Sequence, residues 1–221
     1  MTAKPLSIVV LISGSGSNMQ AIIDSLPKHH INAKIKAVIS NKADAYGLDR
    51  AKLANIPAIS IDHSLYDSRL SFDHAMIETI DSFEPDLVIL AGFMRILSDE
   101  FVNHYTARLI NIHPSLLPNF KGLHTHQRAL DAGHHQHGAS VHFVSNELDG
   151  GPVIAQAAVT ISDDDDAESL RLKVLEQEHI IYPLVIKWLA QRRITLQSRT
   201  VYFDQKPLEK PIIIDANSWN L

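Results

Sequence analysis

Residues 7–26 read SIVVLISGSGSNMQAIIDSL: a run of β-branched and aliphatic residues, a glycine–serine turn, then apolar residues at helical spacing. A strand that is apolar at every position, without alternation, belongs in a parallel sheet covered on both faces. The same signals recur downstream. AKIKAVISN at 33–41 repeats the strand, ADAYGLDRAKLAN at 43–55 the helix, and IPAISID at 56–62 gives a third strand. This βαβαβ order predicts parallel pairing through right-handed crossovers.

Further along, a helix is expected from about Ser71 to Ser82, PDLVILAGF at 85–93 is another apolar strand, and residues 99–114 supply a short helix and a strand. From Gly138 the pattern changes: ASVHFVS and VIAQAAVTI, separated by NELDGG, suggest an antiparallel continuation. Residues 163–194 read as one long helix, with four aspartates at its start and arginines at its end in the sense that suits the helix dipole. Pro183 inside that pattern predicts a kink or break near 180–182. Residues 195–221 read as a hairpin or two short strands around DQKP, packed as an accessory edge. The expected fold class is α/β: a mostly parallel central sheet flanked by helices, an antiparallel continuation and a short C-terminal accessory hairpin. Residues 1–194 form the main domain, and 195–221 an extension packed on it.

Bulk properties narrow the function. With 221 residues and 45% hydrophobic content, one globular domain, alone or with a small appendage, can bury an ample core. A net charge of -5 argues against a general nucleic-acid surface. The chain has no cysteine, which removes disulfides, thiolate metal sites and cysteine nucleophiles. The N-terminal apolar run is too short to span a membrane and leads into a glycine–serine turn instead of a cleavage pattern, so a cytoplasmic protein without membrane partners is expected. Thirteen histidines include HTH at 124–126 and HHQH at 134–137; these read as a mobile polar loop bounded by glycines, not as a metal site, and no metal is expected.

Two motifs carry chemistry. SGSGSN at 13–18 lies between a strand and a helix, where free backbone N–H groups and the positive helix end can receive a phosphate, with Ser17 and Asn18 able to cap the helix or donate to the ligand. An ordinary βα turn with a serine cap fits those six residues equally well. It is neither a P-loop nor the three-glycine dinucleotide fingerprint. The second motif is NIHPSLLP at 111–118: in a strand, Asn111 and His113 face one side, and Pro114 ends the strand where open α/β sheets place ligands. ELDGGPV at 147–153 adds Asp149 on a glycine-rich turn, a carboxylate able to orient the imidazole or move protons. Asn111 and a protonated His113 could together stabilise a developing oxyanion. Spacing alone does not force the three to meet.

Six segments then bring a resemblance: ISGSGSNMQAII, VISNKADAYGLDRA, DLVILAGFMRIL, LINIHPSLLPNFKGLHTHQRAL, VHFVSNELDGGPVIAQ and QEHIIYPLVI. In this order and spacing, over roughly residues 7–194, the chain resembles the phosphoribosylglycinamide formyltransferase family. The resemblance implies the formyltransferase fold and formyl transfer from 10-formyltetrahydrofolate, as co-substrate, to the amine of glycinamide ribonucleotide, a step of purine biosynthesis. By the same resemblance Asn111, His113 and Asp149 are catalytic, while Gly16, Ser17 and Asn18 form the phosphate loop. Glu178 contacts the glycinamide, and Arg69, Met94, Arg95, Ile96, Leu97, Asn111, Ser145, Asn146, Glu147, Leu148 and Asp149 contact the folate.

From pattern alone FMRIL reads as core, Arg69 as a solvated arginine and Glu178 as a solubilising glutamate, so those three assignments rest on the resemblance. The loop at 119–138 is expected to close over the site. The alternatives are a formyltetrahydrofolate hydrolase, a methionyl-tRNA formyltransferase, whose tRNA domain the short tail does not supply, and a non-catalytic sugar-phosphate module. For the tail, an edge strand, a homodimer contact and a partner site stay open.

Overall fold

The computed structural model describes residues 4–215 and 218–220. Seven consecutive strands build the large sheet: β1 (Leu6–Ile12), β2 (Ala33–Ser40), β3 (Ala58–Ser60), β4 (Leu87–Leu90), β5 (Leu109–His113), β6 (Gln136–Phe143) and β7 (Val153–Thr160). In the tail, β8 (Ile194–Gln197), β9 (Thr200–Phe203) and β10 (Lys206–Pro207) make a separate antiparallel sheet, and β11 (Ile212–Ile213) returns to the edge of the large one. The spatial order is β11-β7-β6-β5-β4-β1-β2-β3. Strands β1 to β5 run parallel, β6 pairs antiparallel with β5 and β7, and β11 lies parallel to β7.

The helices are α1 (Ser17–Lys28), α2 (Tyr46–Leu53), α3 (Arg69–Asp81), α4 (Asp99–His104), α5 (Thr125–Asp131) and α6 (Ala167–Ala190). They cover both faces, which explains the unbroken apolar strands. Ile8, Val10 and Ile12 of β1 pack with Met19, Ile22, Leu48 and the apolar side of α6; Val9 and Leu11 pack with Phe72, Met76 and Ile80 of α3 and Phe101 of α4. Burying each such side chain contributes roughly 1.5–3 kcal/mol. Among the described residues no helix is long and apolar enough to cross a membrane.

Four local expectations are corrected. Helix α3 starts at Arg69, two residues earlier than the pattern suggests, because Ser68 accepts the Ser71 N–H at 3.1 Å in a capping box. Helix α6 runs through Pro183 without a break. The proline costs about 3 kcal/mol in a helix interior, but Ile181, Tyr182, Leu184, Val185, Ile186 and Trp188 around it are wholly buried, and their packing outweighs it. Arg192 and Arg193 lie beyond the end of α6, whose last turn carries Lys187; Arg193 instead grips Asp204 of the β9–β10 turn with two hydrogen bonds of 2.8 and 2.6 Å. Nor are the histidine clusters a mobile loop: HTH opens α5 and HHQH enters β6, where His137 is 1% exposed.

Strand β1 pairs with β2 on one side and with β4 on the other, so the chain's direction of travel across the sheet reverses there. Ligands of open α/β sheets bind at such a reversal, beyond the carboxyl ends of the strands. The ends of β1, β4 and β5 carry the segments 13–18, 92–97 and 111–113.

Candidate active site

Asn111 and His113 sit two apart on β5, and the antiparallel register of β6 sets His142 opposite Asn111 and Ser140 opposite His113. The turn after β6 then folds back and delivers Asp149. Its carboxylate lies 3.4 Å from His113 Nδ1 through Oδ2 and 3.9 Å from His142 Nε2 through Oδ1. His113 and His142 are buried, and Asp149's side chain is 10% exposed.

The hydrogen bonds fix the orientation of each group. His142 Nδ1 donates to the Phe143 carbonyl at 2.9 Å, leaving Nε2 to accept from Asn111 Nδ2 at 3.2 Å. Burial pushes His142 down to about 4, outweighing the Phe143 carbonyl and the Asp149 charge, so at neutral pH it is the neutral acceptor this pattern requires. Asn111 is thereby held with its amide nitrogen toward His142 and one N–H uncommitted. His113 Nε2 donates to the Phe120 carbonyl at 2.9 Å while Nδ1 faces Asp149. Both ring nitrogens thus face oxygen atoms. Asp149 Oδ2 also accepts the Gly122 N–H at 2.8 Å. The 119–123 loop is thus fastened over the pair by two backbone groups.

At the end of β1, Gly16 is the N-cap of α1, with φ +69, and no side chain caps the helix, so the serine cap of the ordinary-turn alternative is not made. The tight approach explains the glycine: a Cβ on Gly16 would sit 2.7 Å from Gly47 Cα. The N–H groups of the first turn remain uncapped by side chains and open to an anion. Asn18 Nδ2 donates to Glu178 Oε2 at 2.6 Å, and Glu178 is 8% exposed, not a solubilising residue.

Burial raises the Glu178 carboxyl above its ordinary value of 4.5, against the opposing Asn18 hydrogen bond and Arg171 charge. A raised folded-state value gives a contribution to stability that is complete below the ordinary value and is lost as pH rises through the raised one. Glu178→Gln removes that loss while keeping an acceptor for Asn18. The variant is expected to melt a few degrees above the parent at neutral pH and beyond, with the difference closing near pH 4; calorimetry over that range reads it.

After β4, Met94 and Ile96 are 68% and 63% exposed, so FMRIL is not plain core; Leu148, at 55%, adds to the exposed apolar surface. Arg95 lies 6.0 Å over the Phe72 ring, and Leu97 packs against the α3–α4 core. Ser13 Oγ ties two of these segments together, donating to Asn41 Oδ1 at 2.5 Å and accepting the Met94 N–H at 2.7 Å. Ser145 Oγ donates to the Glu147 carbonyl, Asn146 reaches Asn103, and Glu147 pairs with Lys121 at 2.5 Å. Arg69 is exposed at the first position of α3. Among the described residues no group of three His, Cys, Asp or Glu could hold a metal ion.

Sequence reasoning missed His142 and Ser13. The signal for His142 existed: pairing β5 with β6 as a hairpin-like antiparallel couple sets it opposite Asn111, but nothing local fixes that register. Ser13 reads only as part of the turn.

The family model described as Formyl transferase matches residues 6–186. Phosphoribosylglycinamide formyltransferase of Escherichia coli (strain K12) is 52% identical over 203 residues, covering 92% of this chain and 96% of that protein. The Haemophilus influenzae protein of the same name is 47% identical with the same coverage. The solved phosphoribosylglycinamide formyltransferase of Coxiella burnetii, in complex with CHES, superposes with a TM-score of 0.92 at 50% identity, covering 96% of this chain and all of that one. The chain therefore belongs to the phosphoribosylglycinamide formyltransferase family of the formyl transferases.

Proposed function

We propose that this protein transfers the formyl group of 10-formyltetrahydrofolate to the amine of glycinamide ribonucleotide, giving formylglycinamide ribonucleotide and tetrahydrofolate in purine biosynthesis. The observation that carries this reading is the meeting of Asn111, His113 and Asp149 at the end of β5, one strand from the sheet's reversal point, with an anion loop backed by Glu178 at the end of β1 and an exposed apolar segment after β4. In the reaction a C–N bond forms from the amine to the formyl carbon, the bond from that carbon to the folate nitrogen breaks, and a proton passes from the amine toward the leaving nitrogen.

Asn111 supplies its uncommitted Nδ2–H to the formyl oxygen as charge develops there, and a donor of this kind contributes on the order of 3 kcal/mol. His113 adds positive charge in the same buried space. Asp149 takes the proton, directly or through water, and keeps the imidazole charged. The backbone of Gly16, Ser17 and Asn18 receives the phosphate, and Glu178 with Asn18 meets the glycinamide. The exposed side chains of Met94, Ile96 and Leu148 suit the flat, largely apolar body of a folate, with Arg95, Leu97, Ser145, Asn146 and Glu147 around it. Arg69, exposed and cationic, suits the folate's carboxylates.

We assign residues 195–215 and 218–220 to the same domain, the rest of the 195–221 extension lying outside the described residues: β11 pairs with β7, and Phe203 meets the wholly buried Trp188 edge-on at 5.1 Å. A spectrophotometric assay of purified protein with glycinamide ribonucleotide and the formyl donor, beside a water-only control, tests the reading. Donor consumption that requires the ribonucleotide is expected. Equal consumption in water alone points to hydrolysis, and binding without consumption to a non-catalytic module; either result overturns the proposal.

A further inference from the structure

Arg128, in the middle of α5, touches none of the three polar groups, yet its guanidinium holds the backbone that does. Its Nη1 donates to the Lys121 carbonyl at 2.6 Å and reaches the Leu123 carbonyl at 3.3 Å, while Cζ stands 5.6 Å from the Phe120 ring centroid. Within this grip lie the two backbone groups that fasten the site: the Phe120 carbonyl, which receives His113 Nε2–H at 2.9 Å, and the Gly122 N–H, which donates to Asp149 at 2.8 Å. The segment cannot hold itself by regular backbone pairing, because Phe120, Gly122 and His124 all take left-handed conformations, with φ of +53, +79 and +57. A guanidinium that donates to carbonyls while lying over an aromatic ring suits the task, with more donors in a fixed planar array than a lysine's point-like ammonium offers.

We propose that Arg128 is a positioning residue for formyl transfer, setting the 120–123 backbone that fixes His113 and Asp149. This rests on the reaction assigned above, and it predicts an effect on rate without an effect on substrate affinity. Arg128 is exposed, so its loss leaves the core intact.

The test joins a readout of backbone position with kinetics on the full chain. In Arg128→Ala the Gly122 amide is expected to exchange with solvent at least about tenfold faster by NMR, since its bond to Asp149 loosens. In the same variant kcat falls roughly 10- to 100-fold, the scale of a small misplacement of reacting groups, while the KM for glycinamide ribonucleotide and the melting temperature stay at parent values. Arg128→Lys gives an intermediate kcat, and added methylguanidinium restores part of the rate in Arg128→Ala. Gln127→Ala, a neighbouring exposed change, leaves all of these at parent values.

Parent-like Gly122 exchange, or faster exchange with unchanged kcat, overturns the proposal. So does a kcat loss that tracks a fall in melting temperature and is not rescued by methylguanidinium. A parent protein that transfers no formyl group overturns the reaction itself, and the exchange measurement then still reports whether Arg128 sets the loop.

Discussion

His113→Ala is expected to lower kcat for formyl transfer by roughly 10²–10³-fold, the cost of deleting one stabiliser of a developing oxyanion. The imidazole ring stands between the Phe120 carbonyl and the Asp149 carboxylate, so its removal leaves both facing a gap. The fold survives, because His113 is the last residue of β5 and the strand's backbone pairing with β4 and β6 does not use its side chain. Steady-state kinetics with a melting curve check this: a normally folded variant turning over at the parent rate would remove His113 from the mechanism.

Asp149→Asn is expected to cost roughly 10²–10⁴-fold in kcat, the range of a positioned acid–base group, with KM for either substrate changed much less. The amide keeps the shape: its oxygen can still accept the Gly122 N–H that Oδ2 accepts now. What it loses is the capacity to take a proton and the negative charge beside His113. A large rise in KM at unchanged kcat would assign Asp149 to binding instead of chemistry. Because the two residues act on one reacting centre, the double variant is expected to lose far less than the product of the two single losses.

The fold was largely legible because its signals are local. Unbroken apolar runs at 8–12 and 87–90 mean strands buried on both faces, and the two helical layers found on those faces are what such runs require. The site was half legible. Asn111 and His113 share a side of one strand by geometry alone, but Asp149 reaches them only because β6 turns back antiparallel and its following turn folds over, a long-range fact that spacing does not encode. Pro183 misled for the opposite reason: local propensity argues for a break, and tertiary burial overrides it. Likewise the histidine-rich stretch reads polar residue by residue, while its two clusters fall on α5 and β6 and His137 is enclosed. Glu178 was hidden by its helix, since charge in a long helix usually faces water; only packing of α6 against α1 buries it beside Asn18.

Ser13 carries one more consequence. Its buried hydroxyl ties the turn after β1 to Met94 at the start of the exposed apolar segment after β4. Under the proposed reaction, this tie helps to set the separation between nucleophile and electrophile. Under that same reaction, an acceptor with a longer or shorter arm between its phosphate and its amine is expected to present its nitrogen out of range and to be transferred more slowly.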